Sequence, residues 1–264
     1  MAQPNPIFPN TTLRRLRGGN VALGFGVHHL RSAATAMLAH AAGYDWLFID
    51  MEHGAFSVQE ATQLCLTALP MGVTPVVRIC ADALDEGTRA LDNGAQGIVV
   101  PHVDTPEQAR RIAEAFRFPP QGHRSWGGPP YAYGLRAPGA AEAQAEINRE
   151  VLIVAMIETP EAVANAGAIA AVQGIDALLF GTSDLTAAMG IPGQIGHPNV
   201  QQAYADVAAV CQKHGKVLGM GGVYDDIYAR AYIRLGARLV LGGNDHQFLL
   251  EAATARAGFL RALS

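Results

Sequence analysis

Cysteine is scarce in this chain: Cys65, Cys80 and Cys211 are the only three in 264 residues. An odd, widely spaced set makes a poor disulfide framework and lacks the CxxC spacing of a zinc site. The thiols therefore read as small apolar side chains in a reducing compartment. Long apolar runs are missing too. None reaches the ~18 residues of a membrane span, and the uncharged stretch from Ala61 to Val77 is broken by Pro70, Gly72 and Pro75. Met1 to Asn10 are rich in Pro and Asn and contain no apolar core of a signal peptide. There is no excess of positive charge. The formal net charge is −4, with both signs scattered, which argues against nucleic acid as a partner because phosphate binding needs a basic face. No Ser/Pro/Gly-rich linker or charge block divides the chain, so residues 1–264 are expected to form one domain. The expected setting is the cytoplasm, with no membrane partner.

What the chain does have is a rhythm. Half of it is apolar, and short apolar runs alternate with helix-like segments. The runs are Val21–Phe25, Tyr44–Asp50, Pro75–Arg78, Gly97–Val100, Leu152–Ile157, Ala177–Phe180, Lys216–Met220 and Arg238–Leu241. Helices are expected at 32–42, 58–69, 84–93, 106–116, 142–150, 160–171, 200–214, 225–235 and 246–263. Ser57 and Thr105 stand as N-caps of two of them, and Pro106 takes a first helical position. Continuous rather than alternating apolar runs belong to strands covered on both faces, and repeated βα units favour a parallel sheet. Eight such units, in a length near the ~250 residues typical of a (β/α)8 barrel, point to a TIM barrel rather than a doubly wound open sheet. A short N-terminal extension precedes it and a long, apolar-rich helix ends it. An irregular stretch at 118–140, rich in Gly, Pro and aromatics, interrupts the pattern.

In such a barrel the C-terminal strand ends meet on one face. His53, Arg78, Glu158 and Asp184 each fall at or just beyond one of them. His53 follows Asp50 and Glu52, either of which can fix the imidazole tautomer and raise its basicity. Arg78 closes the third strand. A guanidinium there either forks two hydrogen bonds onto a carboxylate or enolate oxygen, or pairs structurally with Asp50 or Asp82. Glu158 and Asp184 end neighbouring strands, and two carboxylates suit a hard cation that keeps positions open for water and substrate. Alone, Asp184 would be read as a helix cap. Arg124, in the long loop, is a candidate substrate contact. His28 and His29 after the first strand, and His102 after the fourth, complete the polar set. The glycine-rich segments 219–222 and 242–244 contain no Lys or Arg and read as tight turns rather than a phosphate cradle. No Lys ends a strand at the barrel mouth, which argues against Schiff-base chemistry.

The ordered set Asp50-x-Glu52-His53, Pro75-Val76-Val77-Arg78, Gly97-Ile98-Val99-Val100-Pro101, Pro120-x-Gly122-x-Arg124, Ile157-Glu158-Thr159 and Gly181-x-x-Asp184-Leu185 resembles the HpcH/HpaI family of class II pyruvate aldolases, of the 4-hydroxy-2-oxoheptanedioate and 2-keto-3-deoxy-sugar-acid aldolase type. The resemblance runs from about Leu23 to the last helix. It implies a TIM barrel and reversible cleavage of a 4-hydroxy-2-oxo acid to pyruvate, or a related 2-oxo acid such as hydroxypyruvate, and an aldehyde. It also implies a divalent cation (Mg²⁺, Mn²⁺ or Co²⁺) on Glu158 and Asp184, Arg78 at the keto oxygen, and His53 supported by Asp50 in proton transfer. The loop Gly181, Thr182, Ser183 would hold the substrate carboxylate. Members are homohexamers, trimers of dimers whose C-terminal helices swap between neighbours. Two positions depart from the family pattern: Thr182 stands where Pro is usual, and Met156 where Gln is common. Other readings of the same residues are a lyase or transferase of this barrel group acting on phosphoenolpyruvate or an acyl-CoA, and a catalytically silent oxo-acid-binding protein.

Overall fold

Side chains along each strand alternate between two apolar environments, and that alternation aims the chemistry. The computed structural model describes residues 3–263. Residues 1 and 2 of the expected N-terminal extension, and residue 264, lie outside the described residues. Eight parallel strands close into a ring in sequence order. They are β1 (Ala22–Val27), β2 (Trp46–Asp50), β3 (Thr74–Arg78), β4 (Gly97–Val100), β5 (Leu152–Ile157), β6 (Ala177–Gly181), β7 (Val217–Gly221) and β8 (Ala237–Asn244). Pairing of β1 with both β2 and β8 seals the ring, so the open-sheet alternative falls away.

Inside the ring, Trp46, Phe48, Val76, Leu152, Val154, Met156, Leu179 and Leu241 belong to one buried cluster. Their neighbours in sequence, Leu47, Ile49, Val77, Ile153, Ala155 and Phe180, pack in the outer layer against the helices. The period of a strand is two. One more step along each inward row, past the apolar layer, therefore reaches Asp50 after Phe48, Arg78 after Val76 and Glu158 after Met156. These three polar side chains crown the interior at the C-terminal rim. Small residues of β1 make room for large ones on β2: a Cβ added to Gly24 would stand 2.4 Å from the Trp46 indole.

The other end of the barrel is stoppered by α1 (Thr11–Arg17). Asn10 caps it by accepting the Leu13 N–H at 2.9 Å, and Leu13 and Leu16 join the interior cluster. Sequence reading left this helix out, although an Asn cap followed by two leucines three apart is its signature.

The ring is wrapped by α2 (Ala34–Ala41), α3 (Val58–Met71), α4 (Leu84–Asp92), α5 (Pro106–Phe116), α6 (Ala140–Glu150), α7 (Pro160–Ala170), α9 (Pro198–His214), α10 (Asp226–Leu235) and α11 (Asp245–Arg261), with the short α8 (Thr182–Ala188) directly after β6. The expected caps are present: Ser57 with Glu60, and Thr105 with Gln108, form reciprocal capping boxes. Two expectations change. The loop after β6 is helical at once, and β8 runs on through the segment read as a Gly242–Asn244 turn, with irregular pairing against β1. Cys65 and Cys211 are buried, but Cys80 is exposed. Among the described residues, no helix is long and apolar enough to cross a membrane.

Candidate active site

A cavity of about 330 Å³ opens at the C-terminal rim, lined by His28, His53, Arg78, Glu158, residues 181–184 and residues of β7, β8 and the segments after them. Its floor is apolar, with Phe48, Met156 and Leu241. Asp50 and Arg78 are register partners across the β2–β3 ladder, and both are buried. Arg78 Nε donates to Asp50 Oδ1 at 2.9 Å and Nη2 to Oδ2 at 2.5 Å. Nη1 lies 3.0 Å from Glu52 Oε2, and the guanidinium carbon stands 5.1 Å from the centroid of the Phe48 ring. Burial works against the charge on Arg78, but the hydrogen bonds and charge of Asp50, with Glu52 and Glu158 close by, hold its pKa above the ordinary value. Burial likewise opposes ionisation of Asp50. The Arg78 hydrogen bond and charge outweigh it, so the carboxyl titrates below its usual range. A fixed guanidinium whose geometry is set by two acids is a preorganised donor for charge that develops on a ligand oxygen.

Glu158 is buried at the end of the β5 row. Its Oε2 accepts the His102 N–H at 2.8 Å and lies 3.4 Å from the His102 ring. His102 itself sits at φ 54°, a left-handed conformation uncommon for a residue with a side chain. Burial, with a further contribution from the negative charge of Asp184, pushes the Glu158 pKa up; the His102 contacts and Arg78 pull the other way. Glu158 and Asp184 therefore lie within electrostatic reach of each other and line the same cavity. The approach of Glu158 depends on Gly181, where an added Cβ would stand 2.3 Å from Oε1. Two oxygen donors, one buried and one exposed at the open side, fit a hard divalent cation that retains free positions. Among the described residues no three His, Cys, Asp or Glu side chains gather into a closed metal cluster, which leaves the carboxylate pair as the candidate ligand set.

Other candidates land differently from expectation. The His53 ring is 62% exposed, 3.9 Å from Glu52, while Asp50 accepts the backbone N–H of His53 at 3.2 Å. Asp50 thus supports the His53 turn rather than its ring. The imidazole that does meet Asp50 is His28, Nε2 to Oδ2 3.3 Å. Burial lowers the His28 pKa despite the opposing charges of Asp50 and Asp245. The His28 turn is pinned by Asp245 Oδ2, which accepts the N–H groups of His28, His29 and Leu30 at 3.1, 2.8 and 2.7 Å.

Thr182, which stands where Pro is usual in the family, fastens its loop. Its hydroxyl donates to Gly221 O at 2.6 Å and pairs with the Tyr204 hydroxyl at 2.8 Å, tying β6 to β7 and leaving no side-chain donor free for a substrate. Met156 fills the barrel interior as an apolar residue. Arg124 lies outside the cavity: it is buried, paired with Asp92 at 2.7 Å and stacked 4.6 Å over Phe118. It fastens the long loop to α4 instead of reaching the mouth. Tyr224, Asn244 and Gln247 also line the cavity and are not among the residues the sequence singles out: 242–244 reads as a turn, and Gln247 falls inside the expected last helix.

Comparison with known proteins agrees with the barrel fold. The family model described as HpcH/HpaI aldolase/citrate lyase matches residues 28–252. The 4-hydroxy-4-methyl-2-oxoglutarate aldolase of Hapsidospora irregularis is 33% identical over 262 residues, covering 97% of this chain and 96% of that protein. The hydroxypyruvate/pyruvate aldolase of Sagittula stellata is 36% identical over 91% of this chain and 94% of its own length. The crystal structure of an HpcH/HpaI aldolase from Desulfitobacterium hafniense DCB-2 has a TM-score of 0.89 at 30% identity and covers 94% of this chain and 96% of that one. The chain belongs to the HpcH/HpaI aldolase/citrate lyase family.

Proposed function

We propose that this chain is an aldolase that cleaves 4-hydroxy-2-oxo acids to pyruvate, or a related 2-oxo acid such as hydroxypyruvate, and an aldehyde, and that joins them in the reverse direction. The observation that carries the reading is Arg78, held by Asp50 and Glu52, lining the same cavity as Glu158 and Asp184. It is supported by the aldolase names of relatives that match nearly the whole chain. A divalent cation, Mg²⁺, Mn²⁺ or Co²⁺, held by Glu158 and Asp184 would supply Lewis-acid polarisation of the 2-oxo acid.

The chain's own groups do the rest. The backbone N–H groups at Ser183 and Asp184 orient the substrate carboxylate. His53 accepts the proton of the 4-hydroxyl, and the O–H electrons form the aldehyde carbonyl. The C3–C4 bond breaks, and its electron pair moves into an enolate whose oxygen faces Arg78. The proton taken up by His53 is then returned, through water, to C3 of the enolate, which releases the 2-oxo acid and restores the neutral imidazole. Phe48, Met156 and Leu241 keep water away from the floor of the cavity. Incubating metal-loaded protein with a 4-hydroxy-2-oxo acid and following products by NMR tests the reading. Equimolar 2-oxo acid and aldehyde are expected; unreacted substrate would refute it.

The same proposal includes the assembly and setting. Of α11 only Asp245 is buried, while Leu249, Leu250, Phe259 and Leu260 are 64, 68, 55 and 48% exposed. A stretch this apolar and this bare fits burial against further copies of the chain, in a cytoplasmic homohexamer.

A further inference from the structure

One wall of the cavity is polar but carries no charge. It is built by Tyr224, just past β7, Asn244, at the end of β8, and Gln247, in the first turn of α11. These three form a connected unit: Asn244 Nδ2 donates to the Tyr224 hydroxyl at 3.2 Å and to Gln247 Oε1 at 3.3 Å. Their capacity is not exhausted. Having accepted from Asn244, the Tyr224 hydroxyl keeps its own proton to donate, and the Gln247 amide keeps two N–H donors.

The charge around the cavity sets a second condition. Arg78 is the one Lys or Arg among the residues that line it, and it is already engaged by Asp50 and Glu52. Glu158 and Asp184 face the same space. A substrate that brings one carboxylate can be met at the metal side. A second carboxylate, on the aldehyde half, would lie along a wall with no Lys or Arg to receive it, losing hydration without a partner. Hydroxyl groups meet no such penalty, and they match a wall of hydroxyl and amide groups donor for acceptor.

We propose that Tyr224, Asn244 and Gln247 are the subsite for the aldehyde half of the substrate, and that they select a neutral, hydroxylated aldehyde over a carboxylated or plain alkyl one. The assignment rests on the aldolase reading above and adds to it the class of the second product.

The test is aldol addition to pyruvate by the metal-loaded full-length protein, with glyceraldehyde, propanal and succinic semialdehyde as acceptors. The kcat/KM for glyceraldehyde is expected to exceed that for either of the others by about tenfold or more, the equivalent of one or two hydrogen bonds. Tyr224→Phe and Asn244→Val should each shrink the glyceraldehyde-to-propanal ratio toward one. Because this is a ratio within one protein, a variant that folds poorly cannot mimic the result. Equal or better use of succinic semialdehyde, or a ratio untouched by both substitutions, overturns the subsite. Exchange of solvent deuterium into the pyruvate methyl group, measured in wild-type protein without any aldehyde, separates the two levels. Exchange without the glyceraldehyde preference sinks the subsite alone, whereas neither exchange nor adduct formation sinks the aldolase reading and the subsite together.

Discussion

Asp50 and Arg78 occupy the same register position on adjacent strands and are joined by two hydrogen bonds below the mouth of the barrel. The carboxylate stiffens the guanidinium, and the guanidinium keeps the carboxylate charged. Replacing Arg78 by Ala is expected to lower kcat by ~10²–10³, the loss typical of one oxyanion donor, with little change in metal affinity. Steady-state kinetics beside a metal titration checks this. An unchanged kcat would make Arg78 a structural residue only.

Asp50→Asn leaves the buried guanidinium with Glu52 as its remaining acid. Breaking one side of a buried pair costs about 3–5 kcal/mol, and the surviving Glu52 contact should hold the loss near the lower end. Urea denaturation at neutral pH reads the difference. A midpoint equal to that of the wild type would contradict the clamp.

His28 gives the fold a defined response to acid. Its pKa in the folded chain lies below the value of the free side chain, chiefly through burial. The folded state therefore binds this proton less readily than the unfolded chain. The stability this contributes is complete above the unfolded pKa, ~6.5, and is lost as pH falls through the folded pKa. In His28→Gln, thermal stability should fall less steeply as pH drops from ~6.5 through the folded pKa. Parallel curves for the two proteins would show that His28 does not titrate in the folding equilibrium.

Gly181→Ala is a steric test of the carboxylate site. The added methyl would stand 2.3 Å from Glu158 Oε1, and the backbone there, at φ −92°, accepts alanine without strain. Glu158 must therefore move, and a weakening of Mn²⁺ binding by at least tenfold is expected from calorimetry. Wild-type affinity in this variant would mean that Glu158 is not a ligand.

The barrel was legible in the sequence because its strands announce themselves twice, as unbroken apolar runs and as regular punctuation by caps and glycines. Gly97–Val100 and Leu152–Ile157 come out with the boundaries read from sequence. The polar crown was partly legible for the same reason: a charge that ends an apolar strand stands out, as in Arg78 and Glu158. Partners on other strands were legible only in part. The Arg78–Asp50 pair was foreseen as one alternative and is present, but Asp50 was also expected to serve the ring of its neighbour in sequence, His53, whereas the imidazole it meets is that of His28. Arg124 misled because a cation in a long loop looks free until Asp92 and Phe118 are seen beneath it. Asn244 was hidden by its glycines. Gly242 and Gly243 suggest a turn, but β8 carries on through them and delivers the amide to the cavity.

The central claim is that Glu158 and Asp184 share one cation beside Arg78. Mn²⁺ binding to metal-stripped protein, measured by electron paramagnetic resonance for the wild type, Glu158→Gln and Asp184→Asn, tests it most directly. One ion per chain in the wild type, with binding lost in both variants, is the predicted result. Full binding in either variant would contradict it.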